Sequence, residues 1–238
     1  MTRPIVSREE LLIERKALLA KEKHATRQHD LLTDERMKLP MVRIEKDYVF
    51  QGPSGPQSLI ELFSDQPQLL IYHFMFQPDW SEGCKSCSHF MDNSVGAVVH
   101  LRARHTAFAV VSLAPIEKIE PFRRRMGWSV PWVSSFGNDF NKDFEVSIDV
   151  SDEASSYNYA RAKDLHDAGK IWFPKGELPG LSAFLRDGTN IYHTYSVYQR
   201  GLDPFLNTYN FLDATPLGRH EEDAPGQSWI RHHDRYQA

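Results

Sequence analysis

Apolar positions change their period along the chain, and those changes mark out its elements. After Ser7-Arg8-Glu9-Glu10, which has the form of a capping box, Leu11, Leu12, Leu18 and Leu19 recur at helical spacing. The spacing predicts a helix from about Arg8 to about Thr26, and Pro40 closes the polar stretch that follows. Tyr48-Val49-Phe50 before Gly52-Pro53-Ser54-Gly55-Pro56 reads as a short strand and a turn, and Ser58 to Phe63 as one helical turn. The run from Leu69 to Phe76 is apolar without alternation, as expected of a strand buried on both faces of a parallel sheet. Residues Ser88 to Leu101 return to helical spacing despite Gly96.

Thr106 to Ser112 predicts a second buried strand, Ile116 to Met126 a helix stopped by Gly127, and Trp132 to Ser135 a third short strand. Phe136 to Leu178 has no steady period and is expected to be an irregular insert. Leu181 to Leu185 and Ile191 to Tyr195, on either side of Arg186-Asp187-Gly188-Thr189-Asn190, give a hairpin pattern. A last helix is expected over Pro204 to Leu212, followed by a polar tail. The division that results is a helical arm over 1–46 and one domain over 47–238, with the insert at about 136–178 and the tail at about 213–238.

Composition narrows the class. Apolar residues make up 41% of the 238, enough to bury a core without disulfide staples. A net charge of −4 gives no general pull toward nucleic acid or an anionic bilayer. The longest apolar run falls well short of the roughly 20 residues that span a membrane. The first ten residues turn acidic where a signal peptide would be apolar, so a cytoplasmic location is expected. There two cysteines seldom form a structural bridge.

Those two cysteines, in Gly83-Cys84-Lys85-Ser86-Cys87-Ser88, follow a buried strand and a turn and precede a helix. A helix start offers unpaired N–H groups that favour an anion, and a thiol attacks only as thiolate. Cys84 is therefore expected to be the nucleophile and Cys87, one turn on, the resolving thiol. Lys85 could lower the Cys84 thiol further, although weakly if exposed. The order of strand, cysteine-bearing helix, strand, helix and proline-led hairpin is that of the thioredoxin fold, an α/β architecture with a central mixed sheet flanked by helices. Leu178-Pro179-Gly180 occupies the place of that fold's cis-proline, so a cis Leu178–Pro179 bond facing the cysteines is expected.

A wider set of motifs runs in register with one known family. Asp47-Tyr48-Val49-Phe50, Tyr72-His73-Phe74-Met75-Phe76, Pro78-Asp79-Trp80, the cysteine motif, Arg125-Met126-Gly127-Trp128, Trp132-Val133-Ser134-Ser135, Leu178 to Ser182 and His193-Thr194-Tyr195-Ser196 together resemble the bacterial domain of unknown function 899. The resemblance runs from about Val6 to Tyr236. It implies a thioredoxin-like dithiol–disulfide oxidoreductase with Cys84 and Cys87 catalytic and Pro179, Trp80 and Lys85 positioning substrate. A looser likeness to peroxiredoxins covers Tyr48 to Phe76. Trp80 stands four residues before Cys84 rather than directly before it, and Ser81 and Gly83 depart from the peroxiredoxin motif.

Three other readings compete. Cys84, Cys87 and His89, with His73 and His193 brought in from the strands, could bind copper or zinc. The principal reading needs no cofactor. Peroxide reduction would draw on Arg102, Arg104 or Arg123 to Arg125. A binding module could form a pocket from Trp132, Phe136, Phe140, Phe144, Tyr157, Tyr159 and Trp172. The tail with His232 and His233 is expected to be solvated. Partners are expected to be a protein or small-molecule thiol or disulfide, and the amphipathic arm is compatible with a homodimer.

Overall fold

The computed structural model describes residues 3–221 and 226–237; of the C-terminal tail, 222–225 and 238 lie outside the described residues, as do 1 and 2 at the amino terminus. Its contacts divide the chain into Met1–Pro40 and Met41–Ala238. The first unit is one helix, α1 (Arg8–Arg36). The capping box forms as expected: Glu10 N–H donates to the Ser7 hydroxyl, and Glu10 Oε2 accepts from Ser7 N–H. The helix runs ten residues beyond Thr26, because no breaker stands between Thr26 and Arg36 and Leu31 and Leu32 continue the apolar spacing.

The second unit is built in chain order from β1 (Val42–Arg43), β2 (Val49–Gly52), β3 (Gly55–Ser58), β4 (Gln68–His73), α2 (Lys85–Ser94), α3 (Val98–Ala103), β5 (Thr106–Ser112), α4 (Ile116–Arg125) and β6 (Trp132–Ser134). The insert follows, with α5 (Phe140–Asp143), β7 (Ser147–Asp149), β8 (Ser156–Tyr157), β9 (Ala160–Arg161), α6 (Ala162–Asp167) and β10 (Lys175–Glu177). The hairpin β11 (Gly180–Asp187) and β12 (Asn190–Tyr198) leads through a 3-10 segment to α7 (Asn207–Asp213).

An eight-stranded sheet carries the fold, in the order β1-β12-β11-β4-β5-β6-β2-β3. β4 pairs parallel with β5 and β5 with β6, as continuous apolar runs joined by helices require. β11 then adds antiparallel to the other edge of β4, with β12 beside it. This is the order and polarity of a thioredoxin-like fold, widened by β1 on one side and by β6, β2 and β3 on the other.

Side chains alternate across this sheet. Tyr72 and Leu181 face a cluster with Phe90 and Met91 of α2, Phe122 of α4, and Leu202 and Tyr209 near the carboxyl end. Leu69, Ile71, Val111 and Phe184 face the other way, onto Phe50, Leu62, Phe63 and Phe140. The insert has its own cluster of Val146, Ile148, Tyr157, Leu165 and Ile171, joined to the hairpin at Tyr198.

Two sequence expectations shift. The ladder of β4 ends at His73, although Phe74 N–H still donates to Val111 O and Phe76 O accepts from Ala114 N–H. The expected helix over Ser88 to Leu101 starts earlier and breaks into α2 and α3, with a 3-10 turn centred on Gly96. Glycine lowers helix stability at that point, and Asn93 and Ser94 turn their side chains back onto the carbonyls of His89 and Phe90.

Phe140 joins the insert to the sheet. It is fully buried and meets the rings of Tyr48, Phe50 and Phe144 at 5.0, 4.9 and 4.5 Å. Phe140→Ala is expected to cost about 3–5 kcal/mol in denaturant unfolding of the full chain. A loss below about 1 kcal/mol would show that the insert does not contribute to the core in this way.

A candidate dithiol site

The site begins where β4 stops. Beyond His73 the chain crosses the end of the sheet, and Cys84 N–H donates to Met75 O at 3.0 Å. Met75 N–H in turn donates to Cys87 Sγ at 3.4 Å. Cys84 is the N-cap of α2, half-buried, while Cys87 lies within the first turn and is 1% exposed. Both are free thiols.

Hydrogen bonding and burial split the two sulfurs. The Cys87 S–H donates to Cys84; with the Cys87 and Ser86 backbone N–H groups and the Ser86 hydroxyl it lowers the Cys84 thiol to about 7, against the opposing effect of burial. Burial pushes Cys87 well up, and the neighbouring Cys84 pushes it further. The Tyr72 hydroxyl and Met75 N–H favour the Cys87 anion but do not offset that burial. Tyr72 is itself buried, stacked on Phe90 at 3.9 Å and 6°. Lys85 is exposed, and the groups that lower Cys84 are Cys87 and Ser86.

The loop before Cys84 is held from several sides. Gly83 lies so close to Phe74 and Phe122 that a Cβ there would stand 2.6 and 2.8 Å from their rings. Its carbonyl accepts from His232 Nε2 at 2.9 Å. Arg125 can only donate, so its 2.9 Å contact with His232 Nδ1 puts the imidazole proton on Nε2. Arg125 and Arg235 both bind Glu82, and they hold its carboxyl below the usual range although partial burial works the other way. The described tail is therefore not a solvated strand of charge. Ile230 and His232 are each 1% exposed, and His233 reaches Asp92 at 2.7 Å. Trp80 packs against the same core, and its carbonyl accepts from Lys118 Nζ at 3.2 Å.

Pro179 corrects the expectation of a cis bond. No cis peptide bond occurs among the described residues, so Leu178–Pro179 is trans. Gly180 pairs with His73, which brings Pro179 to the end of β4 where Met75 and Cys84 follow. Instead of a cis bond, Tyr157 holds the segment by donating from its hydroxyl to Pro179 O at 2.8 Å. Beside it Glu177 is buried, which raises its carboxyl, and accepts from Asn141 and Ser147.

A cavity of about 500 Å³ opens between α2, Pro179 and the segment after β12, with Ser86 and Cys87 at one end. Tyr157 and Trp172 line it. Of the other rings expected in a pocket, Trp132, Phe140 and Phe144 are buried in the core, and Phe136 and Tyr159 are largely exposed.

The histidines do not gather at the cysteines. Tyr72 faces the Cys87 side of the sheet, so His73 faces the other; it stacks on Phe140 and Phe144 and contacts Ser182 at 2.8 Å. His193 meets Phe144 and Phe184 on that same face and joins His73 through Ser196 and Ser182. His89 lies on α2 against Tyr209 and Trp229. Among the described residues, no three His, Cys, Asp or Glu side chains converge as a metal-binding group. Of the arginines considered for peroxide chemistry, Arg102 pairs with Asp65, Arg123 and Arg124 pair with Glu120, Arg104 is exposed, and Arg125 binds Glu82 in the loop before Cys84. No helix among the described residues is long and apolar enough to cross a membrane.

Sequence reading missed Tyr72, Glu82 and His232 as parts of the site, and singled out Arg125 only for peroxide chemistry. Tyr72 was legible in principle, since strand alternation puts it on the face of the cysteine helix. The other three come together only through long-range packing.

The family model described as bacterial protein of unknown function, DUF899, matches residues 1–236. No curated protein matches the chain. Similar solved structures include peroxidoxin BcpB of Mycobacterium tuberculosis, at 11% identity and TM-score 0.45, covering 71% of this chain and 95% of that one. PrxQ of Xylella fastidiosa matches at 12% identity and TM-score 0.44, over 69% and 88%. Peroxiredoxin Q of Xanthomonas campestris matches at 12% identity and TM-score 0.41, over 68% and 90%.

The split between the sulfurs has a direct readout. Alkylation of Cys84 by iodoacetamide, followed by mass spectrometry, should be slow below pH 7 where the thiol dominates, and rise through a midpoint near about 7. Cys87→Ala removes the S–H donor and should move the midpoint up toward about 8.5, while Cys87→Ser, which keeps a donor, should move it less. A wild-type midpoint at the free-cysteine value would contradict the arrangement.

Proposed function

We propose that this chain, which belongs to the bacterial family DUF899, is a thiol–disulfide oxidoreductase in which Cys84 attacks and Cys87 resolves. The observation that carries the reading is the unequal treatment of two adjacent thiols: one half-buried at a helix start with its thiol lowered to about 7, the other buried behind it and raised. Attack needs a thiolate near ambient pH, and an attacking thiol of that pKa balances thiolate fraction against nucleophilicity. Resolution needs a thiol that stays protonated until the first sulfur has been modified.

The sequence of steps conserves atoms and electrons. Cys84 thiolate attacks one sulfur of a disulfide, expelling the other as a thiolate that takes up a proton. The buried Cys87 then loses its proton and attacks Cys84 Sγ, which releases the second thiol and leaves a Cys84–Cys87 disulfide. Once Cys84 is bonded to substrate sulfur it no longer raises Cys87, and the Tyr72 hydroxyl and Met75 N–H remain to stabilise the forming Cys87 anion. A second dithiol restores the pair.

Thiol–disulfide exchange is favoured over peroxide reduction because the groups acting on Cys84 are thiol, hydroxyl and amide. The arginines considered for polarising a peroxide are paired with carboxylates of their own or exposed.

Cys84→Ser is expected to abolish reduction of a model disulfide, and Cys87→Ser to accumulate a mixed disulfide on Cys84 that intact-mass measurement detects. Undiminished turnover in both variants would remove the proposal.

A further inference from the structure

Exchange at Cys84 does not by itself require the neighbouring cavity, which Ser86 and Cys87 line and Cys84 does not. That cavity is about 500 Å³, within the roughly 300–1,000 Å³ range of small-molecule sites. The first turn of α2 contributes Ser86 and Cys87 to its lining, and Cys87 is 1% exposed. Tyr72, Phe90, Tyr157 and Tyr209 supply rings to the wall, and Trp172 adds another at the mouth while 83% exposed. Of the charges that line it, Glu221 accepts from Tyr209 and Trp229, Lys170 pairs with no carboxylate among the described residues, and the rest are matched. Arg200 and Arg219 both reach Asp203, at 2.8 and 3.5 Å, and Arg219 also holds Asp213 while lying over the Tyr209 ring at 4.1 Å. Such a rim leaves Lys170 as its one unmatched cation among the described residues, whereas the ring-lined walls favour an aromatic group.

We propose that this cavity binds the aromatic group of a small organic disulfide, so that the cysteine pair reduces diaryl or similarly apolar disulfides in preference to charged ones. The inference rests on the exchange reading and names its substrate class. In the reaction RSSR′ and the two cysteine thiols become RSH, R′SH and the Cys84–Cys87 disulfide. Two electrons pass from the cysteines to the substrate S–S bond, and the two thiol protons end on the products. One turnover of pre-reduced protein needs no other reductant.

The test uses the full, pre-reduced chain in single-turnover mixing with dithiodipyridine and with glutathione disulfide. The rate of Cys84–Cys87 oxidation is expected to saturate with dithiodipyridine and to rise linearly with glutathione disulfide. Trp172→Ala should lower the preference for the aryl disulfide by about fivefold, the size of one lost aromatic contact. Separately, the unreactive thioether dipyridyl sulfide should quench the tryptophan fluorescence of Cys84→Ser protein, and bind less tightly when Trp172→Ala is added. A linear dependence on dithiodipyridine without thioether binding, or an equal effect of Trp172→Ala on both disulfides, would overturn the inference. If neither disulfide oxidises the pair, the exchange reading falls instead; thioether binding then upholds the cavity's ligand class and its absence overturns it.

Discussion

Two sulfurs three residues apart meet different solvation because one stands at the start of a helix and the other one turn inside it. That difference depends on a backbone contact: Cys84 N–H is held by Met75 O, and Met75 N–H points at Cys87 Sγ. The pair of bonds fixes the segment after β4 to the start of α2. It leaves Cys84 facing the Ser86 and Cys87 amides and seals Cys87 against Tyr72. A buried thiol is costly to ionise and a helix-start thiol is not, so the two sulfurs differ in how readily they ionise.

The fold can be understood as support for that contact. β4 is central in the sheet, and its ladder to β5 and β11 fixes where Met75 emerges. Phe74 and Phe122 close on Gly83 so tightly that the loop has one path, and His232 and the Glu82–Arg125–Arg235 cluster tie that path to the carboxyl-terminal segment. Tyr157 and Pro179 form the opposite wall, supplied by an insert with its own apolar cluster. On the far face, the His73–Ser182–Ser196–His193 chain pairs buried polar groups under Phe140 and Phe144. The sheet separates that chain from the cysteines.

What could be read in advance was what local rules determine. The capping box at Ser7, the continuous apolar runs of β4 and β5, the Gly127 stop and the hairpin around Gly188 each follow from a few neighbouring residues, and the order of those elements was enough to imply the architecture. Cys84 at a helix start was equally local. The insert was opaque because its strands are two or three residues long, too short for a period to show, and because they pair only with each other. The tail was misread since His232 and Arg235 are indistinguishable from solvated residues until Glu82, about 150 positions earlier, is known to lie beside them. The trans Pro179 shows the limit of reasoning from fold to detail: the proline sits at the expected turn, and Tyr157 supplies a constraint that no local pattern announces.

The central claim is that Cys84 and Cys87 cycle between dithiol and disulfide. Equilibrating the purified full-length protein in thiol–disulfide buffers of graded potential, quenching with an alkylating agent and weighing the intact chain tests it most directly. The account predicts one reversible two-electron transition, from two alkylated cysteines to none, that disappears in Cys84→Ser. A pair that stays reduced throughout, or that is protected from alkylation by stoichiometric bound zinc or copper, would contradict it.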